Sequence, residues 1–210
     1  MKKNNNSILI KKELDRLYKD AHCELLFSNP FELLIAVILS GQSTDARVNM
    51  CTPILFKKYP NALSLSKAKT TDVEKIIKPI GLYHNKAINI INTSKMLVES
   101  FNGEVPNSRE SLESLPGVGR KTANVVLSNC FDVPAFAVDT HVSRVSKRLG
   151  IASKNDDVLT IEKKLNNYFD EKDWLKLHHQ FIFFGRYKCK AKNPLCEDCG
   201  LNSICKKDAY

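Results

Sequence analysis

A lysine directly after a glycine-rich turn is the feature of this 210-residue chain that most plainly offers chemistry. The turn lies in the segment LPGVGRK, residues 115–121, and a run with helical character follows it. Glycines can adopt positive φ and let an anionic oxygen approach the main chain, and a helix start adds its positive dipole end. We therefore expect the backbone of Gly117, Val118 and Gly119 to bind a phosphate group. The alternative is a plain turn between two core helices.

Lys121, the last residue of that segment, is a candidate nucleophile. An amine must be neutral to attack an electrophilic carbon, and two features disfavour the ammonium form of Lys121. These are the positive start of a helix and the neighbouring guanidinium of Arg120. The alternative is a surface lysine that pairs with phosphate.

Asp139 follows Lys121 by eighteen positions and precedes another helical run. A carboxylate at that place fits a helix N-cap. Because the helix start holds it ionised, it suits stabilising positive charge on a bound group better than it suits taking a proton. We expect Asp139 to have both roles.

Four cysteines at short, fixed spacings close the chain: Cys189-x6-Cys196-x2-Cys199-x5-Cys205. Without a secretory signal, such a group indicates metal ligands rather than disulfides. The single Cys-x2-Cys pair leaves both zinc and iron open, and the wider gaps lean slightly towards iron–sulfur. The other three, Cys23, Cys51 and Cys130, lack partners at ligand spacing, and we expect them to be small buried residues.

The charge balance favours a polyanionic partner. Lysine and arginine number 32 against 23 aspartate and glutamate residues, so the formal net charge is +9. DNA or RNA is the simplest such partner, and a generic basic protein is the alternative. No stretch has the length of a membrane span, and the N-terminus leads into an amphipathic run rather than a signal region. We expect a cytoplasmic protein without a membrane partner.

Apolar periodicity predicts helices almost throughout the chain. Asn29 and Pro30 form a cap and first turn for a helix over 31–39, which is apolar nearly all round and should be central. Gly81 and Gly103 are plausible helix stops. Only the segment 135–138 resembles a strand, so the predicted fold class is all-α.

The turn, the lysine, the aspartate and the cysteine spacing together resemble the endonuclease III family, bifunctional DNA glycosylases and abasic-site lyases of the helix-hairpin-helix superfamily. A polar turn at 39–45, LSGQSTD, belongs to the same set, and the resemblance extends from about residue 31 to residue 205. It implies two helical domains with a DNA-binding cleft between them. One is a six-helix domain over 23–133 with the helix-hairpin-helix at about 108–128. The other joins 1–22 to 134–210 and carries a 4Fe-4S cluster in a loop over 189–205.

The resemblance also implies base-excision repair of oxidised or ring-saturated pyrimidines in double-stranded DNA, by a protein that we expect to be a monomer associated with the nucleoid. The damaged nucleotide leaves the stack, Lys121 expels the base by forming a Schiff base, and β-elimination then cleaves the strand 3′ to the site. Gln42 and Leu82 fill the gap in the duplex, the alternatives being a turn glutamine and a core leucine. Lys190 and Lys192, in the wide gap between the first two clustered cysteines, face phosphates.

Two other functions compete with this interpretation. An adenine-mismatch glycosylase of the same superfamily shares the hairpin, the aspartate and the cluster, but it lacks the lysine and carries an additional C-terminal domain. A non-catalytic module that binds DNA structures would use the hairpin and a zinc site for docking. Lys121 and the short tail after Cys205 argue against the first of these.

Overall fold

Helices form nearly all of the regular structure in this computed structural model, which describes residues 5–206. Eleven α-helices are present in that range: α1 Asn5–Tyr18, α2 Pro30–Ser40, α3 Asp45–Lys58, α4 Ala62–Ser66, α5 Thr70–Ile77, α6 Tyr83–Phe101, α7 Arg109–Glu113, α8 Arg120–Cys130, α9 Thr140–Arg148, α10 Val158–Tyr168 and α11 Trp174–Phe183. A 3₁₀ turn at Glu171–Asp173 precedes α11, and a π-helical turn at Phe184–Lys188 follows it. The described residues contain no β-strand, so the all-α prediction is confirmed.

The segment 135–138 resembles a strand in the sequence, but it forms none in the structure. This segment has no regular secondary structure, and all four of its side chains are buried. The Nδ1 atom of His178 lies 2.8 Å from the carbonyl oxygen of Ala137, to which it donates a hydrogen bond. The continuous apolar run therefore reflects burial on every side rather than pairing with another strand.

The chain divides into two units, which we call the central unit, residues 23–133, and the cluster unit, which joins 5–22 to 134–206. The central unit holds α2 to α8. The Asn29 side chain accepts a hydrogen bond from the N–H of Glu32 and Pro30 opens α2, as the sequence predicted. Apart from Glu32, every residue of α2 from Phe31 to Leu39 is buried, and each large apolar side chain there contributes about 1.5–3 kcal/mol to folding. Since α2 contacts α3, α6 and α8, it forms the core of this unit.

Seven helices rather than six make up the central unit. The additional one is α4, a single turn that follows Asn61. The Asn61 side chain accepts a hydrogen bond from the N–H of Ser64 at 2.9 Å, and the Ser64 hydroxyl accepts one from the N–H of Asn61 at 3.3 Å. This reciprocal cap stabilises a helix too short to give an apolar period in the sequence.

The cluster unit packs α1, α9, α10 and α11 around a core that includes Ile10, Phe136, Val145 and Phe181. Glu13 on α1 is buried and accepts hydrogen bonds from the Arg16 side chain and from the N–H of Gly200. The N-terminal helix is thereby tied to the cysteine-containing segment. No helix in the described part of the chain is long and apolar enough to cross a membrane.

Candidate functional site

The glycine turn lies between α7 and α8, and its two glycines have different conformations. Gly117 has φ +75°, in the left-handed region that favours glycine. Gly119 is the N-cap of α8 and has φ −101° and ψ 178°, which any residue can adopt. The expectation of positive φ therefore holds at Gly117 and is wrong at Gly119. A Cβ added to Gly119 would meet no heavy atom within 4 Å, so there is open space beside the backbone at this residue.

Val118 contributes the shape of the turn rather than a group for a ligand. Its side chain is buried, and its N–H donates to the carbonyl oxygen of Leu115 at 3.1 Å. This corrects the prediction that the backbone of Val118 binds phosphate. Its side chain is buried and its N–H already has an acceptor, so neither is available to a phosphate group. The first N–H groups of α8 point out of the helix without acceptors within it, which is the usual anion-binding geometry.

Helix α6 holds the turn from behind. The buried hydroxyl of Thr93 donates to the carbonyl oxygen of Pro116 at 2.6 Å. A Cβ added to Gly117 would lie 2.9 Å from Nδ2 of Asn89, so the turn approaches α6 closely at that point. Sequence reasoning missed Asn89 and Thr93. Their spacing of one helical turn was visible, but nothing in it indicated which segment they contact.

Lys121 is the second residue of α8 and is half-buried, directly after the turn. The guanidinium of Arg120 lies 3.9 Å from a carboxylate oxygen of Glu113, so the positive neighbour of Lys121 has a charged partner of its own. Burial raises the pKa of the Cys23 thiol, which also feels the charges of Asp45 and Lys121. Sequence reasoning missed Cys23 and Asp45 as neighbours of this region.

Gln42 and Leu82 occupy two further turns of the central unit, and both are exposed. Leu82 has 57% of its surface exposed, so the core-leucine alternative is wrong. Their φ angles, +55° and +58°, lie in the left-handed region, which costs a non-glycine residue about 1 kcal/mol. A Cβ added to Gly81 would lie 3.5 Å from the carbonyl oxygen of Gln42, so these two turns are in contact. The surrounding structure must hold both residues in this conformation.

Asp139, in the cluster unit, is the N-cap of α9. Its Oδ1 accepts a hydrogen bond of 2.8 Å from the N–H of Val142, as predicted. The residue is half-buried, with the buried segment 135–138 before it and the buried Val142 after it. The carboxylate therefore lies at the positive end of α9 and is held there by a main-chain N–H.

The four clustered cysteines line one pocket, together with apolar side chains such as Leu149, Phe184 and Leu201. Within the described residues, no His, Asp or Glu lines it. Four cysteines around a mostly apolar pocket fit an iron–sulfur cluster. Among the other cysteines, Cys51 is buried as expected, while Cys23 and Cys130 are only half-buried.

Two arginines of α9 hold the chain that enters the cysteine segment. Arg144 donates to the carbonyl oxygens of Gly185 at 2.6 Å and Cys189 at 3.2 Å. Arg148 donates to the Cys189 sulfur at 3.3 Å and to the carbonyl oxygen of Lys190 at 2.7 Å. Both arginines are buried, and sequence reasoning missed them. The Lys190 and Lys192 side chains are exposed on the segment that Arg148 holds.

Two family models match this chain. The model of the HhH-GPD superfamily of base excision DNA repair proteins matches residues 35–171. The model of the iron-sulfur binding domain of endonuclease III matches residues 189–205.

Curated relatives and solved structures agree with these matches. Endonuclease III of Bacillus subtilis (strain 168) is 53% identical over 191 residues, covering 91% of this chain and 87% of that protein. Endonuclease III of Escherichia coli (strain K12) is 46% identical over 182 residues, covering 87% of this chain and 86% of that protein. A solved structure of a trapped covalent intermediate of endonuclease III with DNA has a TM-score of 0.91 and 51% identity, covering 95% of both chains.

Proposed function

This chain belongs to the endonuclease III family of the HhH-GPD superfamily, and we propose that it releases oxidised or ring-saturated pyrimidines from DNA with Lys121 as its nucleophile. It is a base-excision repair enzyme, a DNA glycosylase and abasic-site lyase that binds DNA and holds a 4Fe-4S cluster. The observation that carries the proposal is the position of Lys121, half-buried in the first turn of α8 directly after the Gly117 turn. A backbone phosphate held by the turn would bring the attached sugar to this amine.

The reaction follows from an amine next to a flipped nucleotide. The Lys121 nitrogen forms a bond to C1′, and the bond between C1′ and the base breaks, so that the base leaves with the electron pair. Ring opening gives an imine. The imine acidifies the C2′ protons, and loss of one of them expels the 3′ phosphate from C3′ and breaks the strand. Asp139 stabilises the positive charge that develops at C1′ as the base departs.

The DNA contacts divide by type. The N–H groups of Gly117 and Gly119 bind backbone phosphate, and Lys190 and Lys192 add charge-dependent contacts elsewhere on the duplex. Gln42 and Leu82 enter the stack and fill the space that the flipped nucleotide leaves. Support for this last role is their exposure in two touching turns at positive φ.

Cys189, Cys196, Cys199 and Cys205 would hold the 4Fe-4S cluster, since they line one apolar cavity. When bound, the cluster supplies cross-links among four thiolates and so couples metal binding to the folding of this segment. Arg148 then presents the backbone that carries Lys190 and Lys192. We place the enzyme in the cytoplasm at the nucleoid, because its substrate is duplex DNA.

Neither competing function is favoured. The adenine-mismatch type lacks the lysine that this chain carries as Lys121. The zinc-docking module disagrees with the match of 189–205 to an iron-sulfur binding domain.

Borohydride trapping tests the nucleophile. With a duplex containing dihydrothymine or a natural abasic site, borohydride added during turnover should leave protein covalently attached to DNA, and the adduct should map to Lys121. Lys121→Ala should abolish both adduct and strand scission while binding persists, because the turn is unchanged. Lys95→Ala, at an exposed lysine of α6, serves as the control. An undiminished adduct in Lys121→Ala would refute the assignment, and base release without any adduct in the wild type would favour a monofunctional glycosylase.

A further inference from the structure

Lys86 is a buried cation in the first turn of α6, with only 6% of its surface exposed. Its Nζ donates hydrogen bonds to the carbonyl oxygen of Leu39 at 2.8 Å and to the hydroxyl of Ser43 at 3.1 Å. Burial lowers the pKa of Lys86, because both of these partners are neutral and the charge loses its hydration. An apolar residue would fill the same space without the cost of removing a charge from water. The hydrogen bonds of Lys86 therefore indicate a role other than packing.

Ser43 joins Lys86 to a second turn. Its hydroxyl oxygen also accepts a hydrogen bond of 3.2 Å from the N–H of Gly81. The Ser43 hydroxyl thus connects Ser43, which follows Gln42, to Gly81, which precedes Leu82. The carbonyl oxygen of Gln42 also lies within van der Waals reach of Gly81. The two turns are therefore a connected structure rather than two independent loops.

Gln42 and Leu82 both need such support. Each is exposed and has a positive φ, a conformation that persists only when the surrounding structure determines it. Leu82 is the N-cap of α6 and has no side-chain capping hydrogen bond. The hydrogen bonds of the Ser43 hydroxyl are therefore a side-chain restraint next to both exposed residues.

One face of helix α6 contacts both the Gln42 turn, through Lys86, and the glycine turn, through Thr93. Leu82, Lys86, Asn89 and Thr93 are spaced by four, three and four residues, which places them along one stripe of the helix. The first half of the stripe meets the Gln42 turn, and the second half meets Pro116 and Gly117. One rigid helix thus connects the turn before Lys121 to the two exposed side chains.

We propose that Lys86 and Ser43 are positioning residues that clamp Gln42 and Leu82 into a single wedge, so that the two side chains open the duplex together. This inference rests on the proposed function, in which Gln42 and Leu82 fill the gap left by the flipped nucleotide. The clamp favours the opening of the duplex by these two side chains. Phosphate binding by the turn at Gly117 and Gly119 does not depend on it.

The test uses the full-length protein with its cluster and two DNA probes. One probe is a duplex with a tetrahydrofuran site, which cannot form an imine, and 2-aminopurine opposite that site, whose fluorescence rises when its stacking is lost. The other is an undamaged duplex of the same sequence, for measuring affinity. The variants are Ser43→Ala, Lys86→Met, their combination and Ser43→Thr, which keeps the hydroxyl. Ser94→Ala is the matched control, because Ser94 is buried on α6 and its hydroxyl donates within the helix, to Ile90 at 2.8 Å.

We expect Ser43→Ala and Lys86→Met each to lower the opening equilibrium by at least about fivefold, the size of the one hydrogen bond that both variants lose, while affinity for undamaged duplex stays within about twofold. The combined variant should lose less than the product of the two single effects, because both remove the same contact. Ser43→Thr should restore most of the signal, and Ser94→Ala should leave it unchanged.

Unchanged fluorescence in a folded Ser43→Ala protein would overturn the clamp, as would a combined effect equal to the product of the single effects. An equal loss in Ser94→Ala would also overturn it, since general loosening of α6 would then explain the result. Borohydride trapping of the wild type separates the two levels of inference. Absence of the wild-type adduct overturns the proposed function, whereas a normal adduct with undisturbed opening in the variants overturns the clamp alone.

Discussion

The hydroxyl of Thr93 donates a hydrogen bond of 2.6 Å to the carbonyl oxygen of Pro116, which ties the middle of α6 to the turn that precedes Lys121. Thr93→Val keeps the shape of the side chain and leaves that carbonyl oxygen unpaired, so we expect a loss of about 1 kcal/mol in the free energy of unfolding. Affinity should fall equally for damaged and undamaged duplex, because the turn reads backbone only. Denaturant unfolding and paired binding curves measure the two effects. A loss confined to damaged duplex would contradict this role.

The two glycines of the turn should respond differently to alanine. Gly117→Ala places a Cβ 2.9 Å from Asn89 at a φ of +75°, so we expect a loss of about 1–3 kcal/mol and weaker DNA binding. Gly119→Ala meets open space at an ordinary φ and should change stability by no more than about 0.5 kcal/mol. Thermal unfolding compares the pair directly. Equal destabilisation of both variants would mean that the turn has another conformation.

Asp139 combines a capping role with a charge, and two substitutions separate them. Asn caps helices about as well as Asp, so Asp139→Asn should keep the stability of α9 while slowing base release about a hundredfold or more. Asp139→Ala should slow base release similarly and also lose about 1 kcal/mol of stability, because the bond to the Val142 N–H disappears. Single-turnover release of the base measures the first effect. Scission at a preformed abasic site should change less, because the base has already left.

The cysteine segment should carry iron and sulfide. Purified protein should be brown, with iron and acid-labile sulfide each at about four per chain. Cys199→Ser should lose the cluster and weaken DNA binding, since metal binding is coupled to folding of the segment. Cys130→Ser is the control, because Cys130 lies outside the cavity that the four clustered cysteines line. Stoichiometric zinc without sulfide would contradict the assignment.

Lys190 and Lys192 should contribute to binding through charge. Replacing both with alanine should lower the slope of log affinity against log salt by up to about two phosphate contacts, equally for damaged and undamaged duplex. The double replacement of Lys154 and Lys172, exposed lysines of the same unit, is the control for net charge. If the two double variants have the same slope, the loop makes no specific contact.

Local chemistry predicted much of this protein. The Asn29–Pro30 start of α2, the Asp139 cap and the Gly117 turn were all visible, because each depends on residues within a few positions of one another. The cysteine spacing likewise indicated a metal site, because its four members lie close together along the chain. Local signals were ambiguous at 135–138, because a buried apolar segment and a paired strand have the same composition. They failed at α4, because a helix of five residues is too short to show an apolar period.

The contacts that support the site were decided by the tertiary structure alone. Lys86 meets the carbonyl of Leu39 across 47 positions, Thr93 meets Pro116 across 23, and Arg148 meets Lys190 across 42. The sequence does not show whether a lysine is buried or exposed. Helical spacing shows which residues share one face of a helix, but it does not show which segment packs against that face. The sequence by itself therefore determined which groups could react. Only packing decided which side chains hold them in place, because hydrogen bonds to distant carbonyl groups leave no pattern along the chain.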